Sequence, residues 1–306
     1  MNLTKKIKEL HASKYKFVIV SSGGGSNAIA SLLKVPGASN TVLEAYIPYA
    51  KESLDFYLMK KPDFYASKDT SLRMAARAYS AAKKIDQESS LNHLLGVSIT
   101  ASLSTTYEKR GDHKFHIALQ TRDFSKSISC KLEKGTRTRE EEEELVTAFV
   151  VNLLAECSEL KYDYPKIPEE VVFDEVKAEK GWAELMSNKI NYVLSEDASP
   201  ELIFPGAFYP YHDGHKAMKD LAEQETGKKI FFEICIQNVD KPPISYHQIK
   251  KTVKQFNDSE NWVLTKAGKF SEKSKLFPNS TFIIDTENET PNTTSRLAVT
   301  SRRGIQ

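Results

Sequence analysis

Ile203-Phe-Pro-Gly-Ala-Phe-Tyr-Pro-Tyr-His-Asp-Gly-His215 decides how this chain is read. Apolar Leu202, Ile203 and Phe204 predict a strand, Pro205 and Gly206 a tight turn, and residues 216–225 a helix. A strand, a glycine-bearing turn and a helix N-terminus together make an anion site. The first N–H groups of a helix lack partners, and its dipole favours negative charge there. At that point the imidazoles of His212 and His215 can donate to phosphate oxygens, and Gly214 lets the backbone come close to a ligand. The plain alternative is two histidines beside a turn; the strand–turn–helix context weighs against it.

The stretch resembles the HxGH nucleotidyltransferases, the adenylyl- and cytidylyltransferases. Their pattern is a strand followed by Gly-x-Phe-x-Pro-x-His-x-Gly-His. Gly206, Phe208, Pro210, His212, Gly214 and His215 fill its positions. The resemblance implies that His212 and His215 stabilise the transition state while a mononucleotide phosphate attacks the α-phosphate of a nucleoside triphosphate. It further implies nucleotide contacts at Gly206, Ala207, Phe208, Gly214 and Lys216, and ATP taken with Mg²⁺. Catalysis of this kind is positioning and electrostatics, with no covalent intermediate.

After the helix, residues 229–236 form a continuous apolar run, as a parallel strand buried on both faces requires. Asn238-Val-Asp-Lys-Pro-Pro243 follows at its C-terminal end, where open α/β sheets bind ligands. Asn238 and Asp240 are therefore candidates for an acceptor loop, with a plain turn as the alternative. Residues 246–256, 262–264 and 280–285 read as a helix and two strands. HxGH enzymes also carry Ile-Ser-Thr/Ser-x-x-Arg late in the chain; Thr293-Thr-Ser-Arg296 is a faint echo of it. The second domain thus reads as a shortened member of its class.

Bulk properties fit two soluble globular domains. The chain has 306 residues, 40% hydrophobic and 27% charged, and a net charge of +2. That balance gives no pull toward nucleic acid or a membrane. Cys130, Cys157 and Cys235 are odd in number and widely spaced, which argues against a disulfide framework or a zinc site. No metal site is expected. No secretory signal is expected at the N-terminus, and no apolar run is long enough to span a bilayer, so a cytoplasmic location is the expectation.

In the first half, residues 16–20 read as a buried strand. Ser21-Ser-Gly-Gly-Gly-Ser26 and a helix over 27–34 follow, a second arrangement suited to an anion. It is neither GxGxxG nor a P-loop. Residues 41–49, 95–100 and 114–120 read as strands. Ser67 caps a helix, and Thr138-x-x-Glu141 is a capping box opening a helix over 140–157. The glutamates 140–144 read as a solvated helix start.

This order of elements is similar to the CinA C-terminal domain family, the nicotinamide-nucleotide amidases. The segments that carry the likeness are Ser21–Ser26, Val35-Pro-Gly-Ala-Ser39 and Tyr49-Ala-Lys-Glu-Ser-Leu54. The likeness implies a nucleophile at Ser22, a loop at Gly24 and Gly25, and site residues Tyr49 and Thr100. Leu54 stands where the family has its activating lysine. Either hydrolysis is lost and nucleotide binding or assembly remains, or Lys51 supplies the base.

The expected fold class is α/β, with two α/β domains. Residues 1–160 form a three-layer domain, 161–200 a linker with a helix near 177–194, 201–286 a Rossmann-like parallel-sheet domain, and 287–306 an irregular tail. The functional expectation is adenylyl transfer from ATP to a mononucleotide, nicotinamide or nicotinate mononucleotide, in NAD metabolism. The alternatives are an inactive nucleotide-binding protein, a cytidylyltransferase acting on a phosphorylated alcohol, and a residual amidase. The expected partners are small nucleotides and a second copy through the first domain.

Overall fold

The computed structural model describes residues 3–107, 109–237, 243–284 and 298–300. The chain divides into two compact units: Met1–Ala178 with Lys241–His247, and Glu179–Asp240 with Gln248–Gln306.

The first unit contains α1 (Leu3–His11), β1 (Lys16–Gly23), α2 (Ser26–Lys34), β2 (Val42–Tyr46), α3 (Lys51–Leu58), α4 (Lys68–Ile85), β3 (Leu94–Ser102), β4 (His113–Gln120), β5 (Phe124–Leu132), α5 (Arg139–Cys157) and β6 (Val171–Lys177). Its sheet runs β2-β1-β3-β4-β5-β6. β1 pairs in parallel with β2 and β3, and the remaining pairs are antiparallel. Phe17, Ile19, Val97, Ile99, Phe115 and Ile117 on one face pack with α1, α2 and α5. The other face meets α4 through Leu72, Ala75 and Ala118. The unit is therefore a three-layer α/β/α domain, as expected. Ser67 caps α4 by accepting from the Thr70 N–H, and the capping box of Thr138 and Glu141 is formed.

Three expectations need correction here. Residues 171–177, read as linker, are a strand of the first sheet, and Tyr164 from the Pro-rich run stacks on Phe149 at 5.7 Å. Burial of those two apolar surfaces outweighs the linker-like composition. The helix expected over 177–194 is instead α6 (Lys180–Met186) followed by a short strand, β7 (Tyr192–Leu194), with Asn188 at a positive φ of 59° between them. The glutamate run is not simply solvated: Glu142 is fully buried, accepting from the Ser104 N–H at 2.6 Å and pairing with His113 Nδ1 at 2.8 Å.

Arg137 and Glu169 tie the Pro-rich run to the turn before α5 through two bonds, of 2.5 and 2.9 Å. The guanidinium holds the Glu169 carboxyl down at about 2, from an ordinary 4.5. A depressed carboxylate contributes stability that is fully present above its unfolded value and is lost as pH falls through the folded one. The wild-type chain is therefore expected to lose stability between pH 4.5 and about 2. Glu169→Gln should be less stable at neutral pH and should show a flatter profile over that window in urea melts. Parallel profiles for the two proteins would refute this.

The second unit contains α6, β7, β8 (Leu202–Gly206), α7 (Asp213–Thr226), β9 (Ile230–Cys235), α8 (Tyr246–Val253), β10 (Asn261–Thr265), α9 (Phe270–Leu276), β11 (Thr281–Ile284) and β12 (Ala298–Thr300). The order is β12-β11-β8-β9-β10-β7. The inner four strands are parallel, and β7 and β12 add antiparallel edges. Part of the tail expected to be irregular thus pairs with β11. Because β9 lies on one side of β8 and β11 on the other, β8 is the topological switch point of a doubly wound sheet. Alternation along β8 and β9 sorts the core. Phe204 and Phe232 face Phe208 and Phe256, while Ile203 and Phe231 face Phe277 and Phe282.

Candidate functional site

β8 ends at Gly206, and α7 begins at Asp213 rather than at Lys216. His212 is therefore the residue before the helix, and Gly214 and His215 lie in its first turn. The turn between strand and helix is built on Phe208, whose ring is buried against Phe204, Phe232 and Phe256. Phe208 takes a φ of 47°. A Cβ on Gly206 would stand 2.5–2.9 Å from that ring, so only glycine lets the ring fold back over the strand end. Gly206→Ala is expected to cost about 1–3 kcal/mol by overpacking. Denaturant melts of the second unit measure it, and an unchanged midpoint would show that the ring moves freely.

A side chain from far along the chain holds the same turn. Gln255 accepts from the Tyr211 N–H and donates to the Phe208 carbonyl, each at 3.0 Å, so one amide spans the turn. The Tyr211 hydroxyl donates to Glu260 Oε1 at 2.6 Å. Burial, then that carboxylate, pushes the phenol well above its ordinary value. Lys251 lies over the Tyr209 ring at 4.6 Å. None of Lys251, Gln255 and Glu260 was visible as a site residue in the sequence, because their contacts to the turn are tertiary.

His212 is exposed and His215 half-buried. Their ring centroids are 3.8 Å apart and the planes 23° from parallel. The His212 backbone N–H donates to His215 Nδ1 at 3.3 Å. An Nδ1 that accepts leaves the proton of a neutral ring on Nε2. Lys216 is exposed and reaches Asp213 at 3.2 Å. The structure brings Gly206, Phe208, His212, Gly214 and His215 together as one turn, with Ala207 exposed on it. Asn238 and Asp240 lie outside the described residues, as does Thr293–Arg296.

In the first unit, Ser22 and Thr100 are register partners on β1 and β3. The Ser22 hydroxyl is buried and donates to the Pro48 carbonyl at 2.9 Å. The Thr100 hydroxyl donates to the Tyr65 carbonyl at 2.8 Å. Leu54 is buried, Lys51 Nζ lies 5.6 Å from the centroid of the Tyr65 ring, and Tyr49 is exposed. Among the described residues, then, the Ser22 hydroxyl is bonded to a carbonyl oxygen and not to a general base.

The anion position of this loop is already filled. Gly25, at a φ of 94°, precedes α2, and its N–H donates to Glu143 Oε2 at 2.8 Å. Leu103 lies where a side chain on Gly24 would stand. An open hollow of about 480 Å³ beside α2 is lined by Ser26, Asn27, Ala30, Glu140, Glu143 and Glu144. Three carboxylates there repel a polyphosphate. The anion expected at this loop is thus a carboxylate of the chain itself, that of Glu143.

Among the described residues no three His, Cys, Asp or Glu side chains are grouped to hold a metal. No helix among them is long and apolar enough to cross a membrane.

No known family matches the chain's sequence, and no curated protein does. Solved structures with a similar chain course include competence/damage-inducible protein CihA from Agrobacterium tumefaciens, at 15% identity and a TM-score of 0.41, covering 51% of this chain and 96% of that one. A competence or damage-inducible protein from Enterobacter asburiae gives the same values. A CinA-superfamily protein from Escherichia coli is 13% identical at a TM-score of 0.39, covering 49% of this chain and 85% of its own.

Proposed function

We propose that the second unit is a nucleotidyltransferase that moves an adenylyl group from Mg-ATP to a mononucleotide, nicotinamide or nicotinate mononucleotide, releasing pyrophosphate. One observation carries this reading: two adjacent imidazoles stand at the first turn of α7, directly after the switch-point strand. An acceptor phosphate oxygen attacks the α-phosphorus, and the bond from that phosphorus to the bridging β-phosphate oxygen breaks. Charge builds on the α-phosphoryl oxygens and on the departing pyrophosphate. His212 and His215 donate to those oxygens, together with the α7 backbone N–H group at Gly214 and the ammonium of Lys216. Gly206, Ala207 and Phe208 form the floor under the nucleotide, and Asn238 and Asp240 are the candidates for acceptor contacts. The magnesium ion enters with ATP, bound by its phosphates. A nucleotide enzyme of this kind works in the cytoplasm.

The first unit, in this reading, does not hydrolyse an amide. Ser22 has a carbonyl for its partner, Leu54 replaces the base, and Glu143 occupies the anion position. Its role is assembly.

The test is pyrophosphate release from Mg-ATP with each mononucleotide, alongside Mg-CTP with phosphorylated alcohols and ammonia release from nicotinamide mononucleotide. Turnover with ATP alone supports the proposal. Turnover with CTP alone reassigns the substrate, and none in any arm overturns catalysis. Ammonia release that disappears in Ser22→Ala overturns the reading of the first unit.

A further inference from the structure

We propose that Lys266 binds the phosphate of the acceptor mononucleotide, from the sheet edge and the sheet face that carry the two imidazoles. This rests on the nucleotidyltransferase reading and gives its acceptor a contact residue. The strand register fixes the edge. Gly206 is level with Ile234 and Ile234 with Leu264, so Lys266 lies two residues beyond the level of Gly206. The Ile236 N–H donates to the Thr265 carbonyl at 2.8 Å, so the ladder runs past the end of β10 to Lys266. Neighbouring strands are about 4.8 Å apart, which puts Lys266 roughly 10 Å across the sheet from the Phe208 turn, with β9 between them. β8, β9 and β10 are parallel, and this is their C-terminal edge, where open α/β sheets take ligands.

Alternation fixes the face. Lys266 belongs to the side of Leu264 and Trp262, and Trp262 is level with Phe232 and Phe204. On that same side the Phe208 ring lies 4.9 Å from Phe232 and the His215 ring 6.1 Å from Phe204. α6 also lies there: Val193 pairs with Leu264, and a Cβ on Gly181 would stand 3.1 Å from the Val193 side chain. Asn188, just after α6, accepts from Lys266 Nζ. The chemistry needs a cation at this place. The acceptor is a phosphate monoester, and it must be held beside a triphosphate of the same sign. Lys266 is half-buried, and burial holds its ammonium below the ordinary lysine value. Among the described residues its polar partner is the neutral amide of Asn188, and no carboxylate pairs with it. An ammonium partly stripped of water and lacking an acid gains most from an arriving phosphate.

The test is calorimetric titration of the full chain with nicotinamide and nicotinate mononucleotides and with the ribosides that lack the phosphate, with and without magnesium and α,β-methylene-ATP. Circular dichroism verifies folding of every variant. The wild-type chain is expected to bind a mononucleotide about tenfold or more tighter than its riboside. Lys266→Met keeps the aliphatic stem without the charge, and Lys266→Gln keeps a donor for Asn188 without the charge. Both should bind the mononucleotide no better than the riboside, with binding of the ATP analogue within about twofold of wild type. A wild-type chain with no preference for the phosphate, neutral variants that keep the preference, or a loss confined to the ATP analogue would each overturn the inference. Pyrophosphate release separates it from the reading beneath it. Turnover by Lys266→Met with an unchanged KM for the mononucleotide leaves that reading standing and removes Lys266. A phosphate preference lost in both variants, in a chain that never releases pyrophosphate, keeps the phosphate site and removes the catalysis.

Discussion

His212→Ala is expected to lower pyrophosphate release from Mg-ATP and nicotinamide mononucleotide by about 10²- to 10³-fold, or about 3–4 kcal/mol of transition-state stabilisation. The size follows from where charge appears. In the ground state the triphosphate is balanced by its magnesium ion; in the transition state new charge appears on the oxygens at the α–β bond, and fixed donors matter most there. His212 is exposed, but it is the N-cap of α7 and its ring stacks on His215, so the variant should lose a little stability while remaining folded. The fall should appear in kcat with a smaller change in KM, because the donor serves the reacting oxygens more than the bound ground state. His215→Ala should lose activity as well, also with some loss of stability, since its ring meets Phe208 at 5.0 Å and accepts the His212 N–H. A His212→Ala protein within about twofold of wild type would remove the imidazole from the mechanism.

The parts of the fold that could be read from sequence are those where one local cause suffices. β1, β3 and β9 show as apolar runs because parallel strands are buried on both faces. The turn after β8 shows as Gly-x-Phe because the glycine and the ring that lies over it are two residues apart. β5 did not show. Ser125, Ser127 and Ser129 alternate along it, and the first two are buried. Small residues suit a face covered by a helix, but in sequence they read as a loop. Glu142 and Glu143 looked like helix-start charge, and no local rule predicts their use. One is buried against His113, and the other reaches back 118 residues to the Gly25 N–H. The anion expected at that loop is present, but the acceptor is the chain's own Glu143 carboxylate rather than a ligand. Gln255 and Glu260 are illegible for the same reason, since each reaches the turn across more than forty residues.

Lys273→Met is expected to destabilise the second unit by about 3–5 kcal/mol. Glu233 sits in the centre of β9 with no solvent exposure, and its carboxylate accepts from Lys273 Nζ and from the Thr265 hydroxyl. Removing the ammonium leaves a buried negative charge with one neutral donor, far from the water that would otherwise solvate it. The methionine keeps the aliphatic stem, so the loss reports the charge and not a cavity. The chain offers a clean readout. Its only tryptophans, Trp182 and Trp262, both lie in the second unit, so their fluorescence follows the unfolding of that unit alone. Glu233→Gln combined with Lys273→Met removes both charges while leaving an acceptor for Thr265. It should recover more than half of the loss, because two buried neutral groups cost less than one buried unpaired ion. If the single and double variants melt together, the Glu233 carboxylate is not what Lys273 stabilises, and the ion pair contributes nothing that the surrounding sheet does not already supply.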